Sequence, residues 1–205
     1  MPQTNEQMVN YLVEKWVLHT ASITSWFKKV DRANFILPEY QKTAYQDTPL
    51  PIWYEATISQ PSTVAFMLEL LKPNQWDKVL DIWAGSGWTT AILSHIVWKK
   101  WKVIWTEIIP QLVDFGNTNL SKYSPTNSKI ILTQKELWIP WEKFDKILVS
   151  ASAGNENVCE KLLDQLKNEW TIVIPIKDSI YQVHKDYEWN ITSNKYYWFL
   201  FVPLR

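Results

Sequence analysis

The chain has 205 residues, a length that suits one large domain with a small accessory segment. Lys plus Arg and Asp plus Glu number 21 each, so the formal net charge is zero and no electrostatic footprint for nucleic acid or an anionic membrane is present. No apolar run approaches the ~20 residues of a membrane span, the first residues lack the basic-then-apolar pattern of a secretion signal, and the lone Cys159 gives no disulfide framework, which fits a reducing, cytoplasmic setting.

Thr4 or Asn5 caps a predicted helix through about residue 15, with Met8, Tyr11, Leu12 and Val13 as its apolar stripe. A second helix is expected over 21–30, with Ile23, Trp26, Phe27 and Val30 inward. These helices are expected to cover a sheet edge rather than do chemistry, and His19 between them reads as a surface or capping histidine. Residues 31–51 are irregular and rich in Pro and Tyr. An apolar loop this long is usually a lid or a binding loop, with a plain connector as the alternative.

Val64, Met67, Leu68 and Leu71 then mark a helix. Ser59 reads as its N-cap, with Pro61 at an early helical position. A hydroxyl held there also suits the binding of a carboxylate. Strands are expected over 79–82, 103–107, 129–133, 146–150 and 171–176, with helices over 89–97, 110–123 and 158–167 between them. Cys159, in the last of these helices, reads as packing rather than as a nucleophile. Residues 180–185 and 197–202 make a closing hairpin. The alternation predicts an α/β fold with a mostly parallel sheet between helices.

The first βα unit concentrates the chemistry. Val79 to Ile82 is a buried-strand run, followed by the turn Ala84-Gly85-Ser86-Gly87 and a helix. That geometry aims backbone N–H groups and a helix N-terminus at a ligand. A dinucleotide site wants three glycines, but position 90 is Thr. Two glycines after an acid, Asp81, are closer to the turn of S-adenosylmethionine-dependent methyltransferases; the alternative is an ordinary βα turn. The next strand ends in Glu107, placed to accept both hydroxyls of a ribose.

One statistic is abnormal. Gly is 4 of 205, against a usual ~7%, while Trp is 14. Trp stands where local structure wants Gly at 16, 53, 76, 83, 98, 101, 105, 138, 170, 189 and 198. Trp170 is expected to be the left-handed residue after a helix, and Trp189 to sit in a hairpin turn. Reading these eleven as Gly restores ordinary composition. The expectation is that UGA codons read as glycine by the source have been translated as Trp; the alternative is a truly Trp-rich protein.

Several segments together resemble the protein-L-isoaspartate O-methyltransferase family. They are Val30-Asp31-Arg32-Ala33-Asn34-Phe35, Pro49-Leu50-Pro51-Ile52, Thr57-Ile58-Ser59-Gln60-Pro61, residues 79–88, Phe144-Asp145-Lys146-Ile147-Leu148-Val149, Ile172-Val173-Ile174-Pro175 and Phe201-Val202-Pro203-Leu204. They follow the family's order over nearly the whole chain. The resemblance implies a Rossmann-like methyltransferase fold with a seven-stranded sheet and an N-terminal helical extension. It divides the chain into 1–56, helices and a substrate or lid loop, and 57–205, the S-adenosylmethionine-binding core. It implies methyl transfer to isoaspartyl carboxylates of damaged proteins by a monomer, with no metal, no nucleic acid and no membrane. Ser59 becomes the active-site hydroxyl. Ala56, Thr57, Ile58, Asp81, Trp83, Ala84, Gly85, Ser86, Gly87, Glu107, Ile108 and Gln134 become the cofactor contacts. Gln134 stands where the family has an acid near the adenine, so that contact departs from the family pattern.

Overall fold

A computed structural model describes residues 1–97, 103–123, 126–133, 139, 142–154 and 157–201. Helix α1 spans Asn5–Glu14 and α2 Ala21–Lys29. Thr4 caps α1 by accepting from the Gln7 N–H. Two 3-10 turns, Arg32–Phe35 and Pro38–Thr43, occupy the irregular stretch. Strands β1 (Leu50–Pro51) and β2 (Thr57–Ile58) pair antiparallel and lead into α3 (Pro61–Leu71). There follow β3 (Val79–Ile82), α4 (Trp88–Ile96), β4 (Val103–Glu107), α5 (Pro110–Ser121), β5 (Ser128–Leu132), β6 (Phe144–Val149), α6 (Asn157–Leu163), β7 (Leu166–Ile176), β8 (Ser179–Lys185) and β9 (Ile191–Tyr197).

Seven strands form one sheet in the order β5-β4-β3-β6-β7-β8-β9. The first five run parallel, and β8 and β9 are antiparallel. Strand β3 lies at the centre, buried along its whole length, because Val79-Leu80-Asp81-Ile82 has neighbours on both sides and helices over both faces. One apolar cluster joins α1 and α2 to α3, α4 and β3, through residues such as Met8, Leu12, Ile23, Val64 and Ile92. A second lies against β6, β7 and α6, around Phe144, Leu162 and Ile172.

The structure corrects several expectations. Val13 is 40% exposed while Val9 is buried, so the stripe of α1 turns one position from its expected face. Trp26 is only half-buried, with Ile23, Phe27 and Val30 fully inward. Helix α6 stops at Leu163, and Leu166 already begins β7. Trp170 therefore lies inside a strand, and the left-handed residue is its neighbour Glu169, with φ 59°. The last strand is Ile191–Tyr197 rather than 197–202. Its polar residues hid it, since an edge strand has no buried face to impose alternation. Ser59 is not the cap of α3. Gln60 holds that position, and Asp47 Oδ1 accepts the Ser62 N–H at 2.8 Å.

Candidate active site

Strands β3, β4 and β6 end side by side, so the residues just beyond them converge in the crevice where parallel sheets of this class bind ligands. Trp83 follows β3, Glu107 closes β4 and Ser150 follows β6. These three line one cavity with Tyr54, Glu55, Ala56, Thr57, Gly85, Ile109, Leu112 and Ala151.

Glu107 is 2% exposed. Its Oε1 accepts the N–H groups of Ile108 (2.8 Å) and Ile109 (3.1 Å), and its Oε2 accepts the N–H of Gly85 (3.2 Å). The carboxylate thus ties the glycine turn to the end of β4. Burial pushes its pKa up, and the three backbone donors hold it back. Asp81 is fully buried in β3, and the Ser150 hydroxyl donates to its Oδ1 at 2.8 Å. Its Oδ2 has no hydrogen-bond partner among the described residues. Burial raises Asp81 well above the usual carboxylate range; the Ser150 bond opposes the shift and the Glu107 charge adds to it.

The turn needs its glycines. Gly87 adopts φ 84°, and a Cβ there would stand 3.0 Å from the carbonyl oxygen of Gly116 in α5. Gly116 in turn comes close to Gly85, where its own Cβ would meet the Gly85 carbonyl at 3.0 Å. Asn119, also on α5, donates from Nδ2 to the Ser86 carbonyl at 3.1 Å. Helix α5 therefore braces the turn from behind.

A second cavity, of about 190 Å³, is lined by Pro49, Thr57, Ser59, Gln60, Thr63, Leu200 and Phe201. Thr57 is a wall of both cavities. The hairpin between β1 and β2 reverses at Tyr54 and Glu55, with φ 59° and 58°. Both are left-handed, an uncommon state for such residues, and both line the first cavity.

Of the expected cofactor residues, Ala56, Thr57, Trp83, Gly85 and Glu107 line the first cavity directly. Asp81 reaches it through Ser150. Ile58, Ala84 and Ser86 are buried beside it, Ile108 turns its N–H to Glu107, and Gly87 caps α4. Gln134 lies outside the described residues. Sequence reasoning missed Ser150 and Arg32. Ser150 had a usable signal, since it closes the strand expected over 146–150. Arg32 is fully buried, and its guanidinium donates to the carbonyls of Ala44 (2.5 Å), Thr48 (2.9 Å) and Ser59 (3.1 Å). Desolvation lowers its pKa to about 10, against the attraction of Asp47.

The pattern of the protein-L-isoaspartate(D-aspartate) O-methyltransferase family matches residues 3–205. The chain belongs to this family. A protein-L-isoaspartate O-methyltransferase of Thermococcus onnurineus is 36% identical over 203 residues, covering 96% of this chain and 90% of the relative. A second relative with that activity in its name, from Archaeoglobus fulgidus, is 40% identical over 163 residues, 78% of this chain and 74% of its own. Among solved structures, a Plasmodium falciparum chain crystallised with S-adenosyl-L-homocysteine superposes with a TM-score of 0.87 over 100% of this chain and 99% of its own, at 24% identity. That likeness establishes the seven-stranded methyltransferase fold.

The lining of the first cavity fits an S-adenosyl nucleoside: a buried carboxylate for the ribose, the Gly85 turn, and an apolar wall from Ile109 and Leu112. Space is the weaker part of the fit. The enclosed volume is about 110 Å³, against the ~300 Å³ at which ligand pockets usually begin. Trp83 is among the residues that line it.

Proposed function

We propose that this chain transfers the methyl group of S-adenosylmethionine to the free carboxylate of L-isoaspartyl residues in damaged proteins. One observation carries the reading: a cavity walled by the glycine turn and Glu107 meets a second walled by Ser59, with Thr57 common to both. A donor site and an acceptor site that share one residue suit a direct transfer.

The acceptor carboxylate titrates near ~4 and is ionised at neutral pH, so it needs no general base. Bound in the first cavity, S-adenosylmethionine supplies a methyl group already activated on sulfur. The chain's task is alignment in a water-poor site. Glu107 accepts from the ribose hydroxyls, and the Gly85 backbone permits close approach. Ser59 donates its hydroxyl proton in a hydrogen bond to one carboxylate oxygen and leaves the other free to take the methyl group. It orients the substrate and is not a nucleophile.

The proposal extends to a cytoplasmic monomer. A single cysteine in 205 residues supports a reducing compartment, and no helix among the described residues is long and apolar enough to cross a membrane. Zero net charge supports a protein rather than a nucleic-acid substrate. The test is incubation with methyl-labelled S-adenosylmethionine and an isoaspartyl peptide beside its aspartyl twin. Label in the isoaspartyl peptide alone is expected. Equal labelling of both, or of neither while S-adenosylhomocysteine still binds, would overturn the reading.

A further inference from the structure

The tryptophans of this chain divide into two physical classes. Trp26 stacks on His95 with ring centroids 4.5 Å apart, and Lys29 sits over its ring. Trp88 is buried, meets Phe27 edge-on and donates from Nε1 to the Val30 carbonyl at 3.2 Å. Neither stands where local structure wants glycine. Both rings are packed as native indoles are, and Trp88 also has a partner for its polar edge.

The other class differs. Nine non-glycine residues among those described have positive φ, and four of them are tryptophans: Trp16, Trp83, Trp189 and Trp198, at 57°, 70°, 70° and 76°. All four belong to the eleven positions at which composition and local pattern already want glycine. Trp16 is the clearest case. The Trp16 N–H donates to the Val13 carbonyl and the Val17 N–H to the Leu12 carbonyl. This is the pair of bonds that closes a helix through a left-handed residue, a place where glycine dominates. Trp189 closes the β8–β9 hairpin, where its N–H donates to the Asp186 carbonyl. It occupies the left-handed position that a turn followed by a bulge reserves for glycine.

Two more of the eleven carry a different mark. Trp105 and Trp170 are fully buried, and neither indole N–H has a hydrogen-bond partner among the described residues. A buried donor left unpaired loses its hydration with nothing in return. Trp53 and Trp76 carry neither mark, and positions 98, 101 and 138 lie outside the described residues.

We infer that the eleven positions are glycine in the functioning protein, inserted at UGA codons. Composition bears on all eleven positions, and backbone conformation or an orphaned indole donor marks six of the eight that are described; Trp53 instead meets Phe115 edge-on. The consequence for the site falls on position 83. There the residue lines the first cavity with a left-handed backbone at φ 70°, and a glycine takes that backbone without a side chain beside the approaching nucleoside.

The test uses two proteins and one mass measurement. Peptide mapping of the protein isolated from its source is expected to find glycine at the eleven positions; tryptophan at 16, 83, 189 and 198 overturns the inference. In parallel, the printed chain and its eleven-glycine counterpart are titrated with S-adenosylhomocysteine. The glycine form is expected to bind about tenfold tighter or better, and equal affinity would overturn the assignment of Trp83 as an obstruction. The mass result does not depend on activity. If the source protein carries glycine yet binds no nucleoside, the proposed function fails and the residue assignment stands.

Discussion

The Nη2 of Arg32 donates to the backbone carbonyl of Ser59 at 3.1 Å. The same guanidinium holds the carbonyls of Ala44 and Thr48, so one buried cation fastens the irregular stretch after α2 to the corner that presents the Ser59 hydroxyl. Lysine is expected to fail here. It has no planar fork, and a single ammonium cannot satisfy three divergent carbonyls. Arg32→Lys should lose roughly 2 kcal/mol in urea unfolding, within the range for unsatisfied buried groups. It should also reduce kcat/KM for an isoaspartyl peptide more than it reduces affinity for S-adenosylhomocysteine. Equal losses in both would mean that Arg32 supports the fold without positioning the corner.

Ser59 lines the second cavity, and its hydroxyl has no hydrogen-bond partner among the described residues, which suits a ligand role. Ser59→Ala should cut turnover by about tenfold to a hundredfold, the scale of one lost orienting hydrogen bond. Isothermal titration should find the S-adenosylhomocysteine affinity unchanged. Loss of that affinity would count against the assignment.

Asp81 and Glu107 both have carboxyl groups pushed up by burial, from ordinary values of 3.8 and 4.5. A raised folded-state pKa means that the folded chain binds more protons than the unfolded chain between the two values. Stability from this source is therefore present at low pH and falls as pH rises from the ordinary value through the raised one. Asp81→Asn keeps an oxygen to accept from Ser150 and removes the titration. Its urea midpoint should fall less steeply than that of the parent as pH rises above the ordinary carboxylate value of 3.8. Parallel profiles would show that Asp81 does not carry the effect.

Trp16 is 81% exposed and far from any proposed contact with substrate. With φ at 57° in a helix-closing motif, Trp16→Gly should stabilise the printed chain by about 1 kcal/mol. Thermal or urea unfolding would read this directly. No gain would mean that the left-handed backbone carries no strain at this position.

Much of the site was legible from residue order alone. The strand, glycine turn and helix at 79–97 and the acid ending β4 emerged where expected, because a parallel strand and its following helix are specified by residues adjacent in sequence. Legibility failed where a partner lay far along the chain. The cap of α3 comes from Asp47 rather than Ser59, and the N-terminus of α2 is held by Glu69 on α3, which accepts the His19 and Thr20 N–H groups. Gly116, inside α5, lets that helix close on the turn far earlier in the chain, a contact that residue order does not display.

Residue order and composition by themselves determined the α/β class, the places of the glycine turn and of the acids on β3 and β4, the family, and the mismatch between tryptophan and glycine. These are local patterns or counts, and they survive without coordinates. Only the tertiary structure decided that Arg32 grips the Ser59 corner, that Thr57 belongs to two cavities, and which tryptophans sit on backbone that an L side chain resists. Those facts depend on distances between segments brought together by the sheet, and on backbone angles that a sequence constrains but does not display.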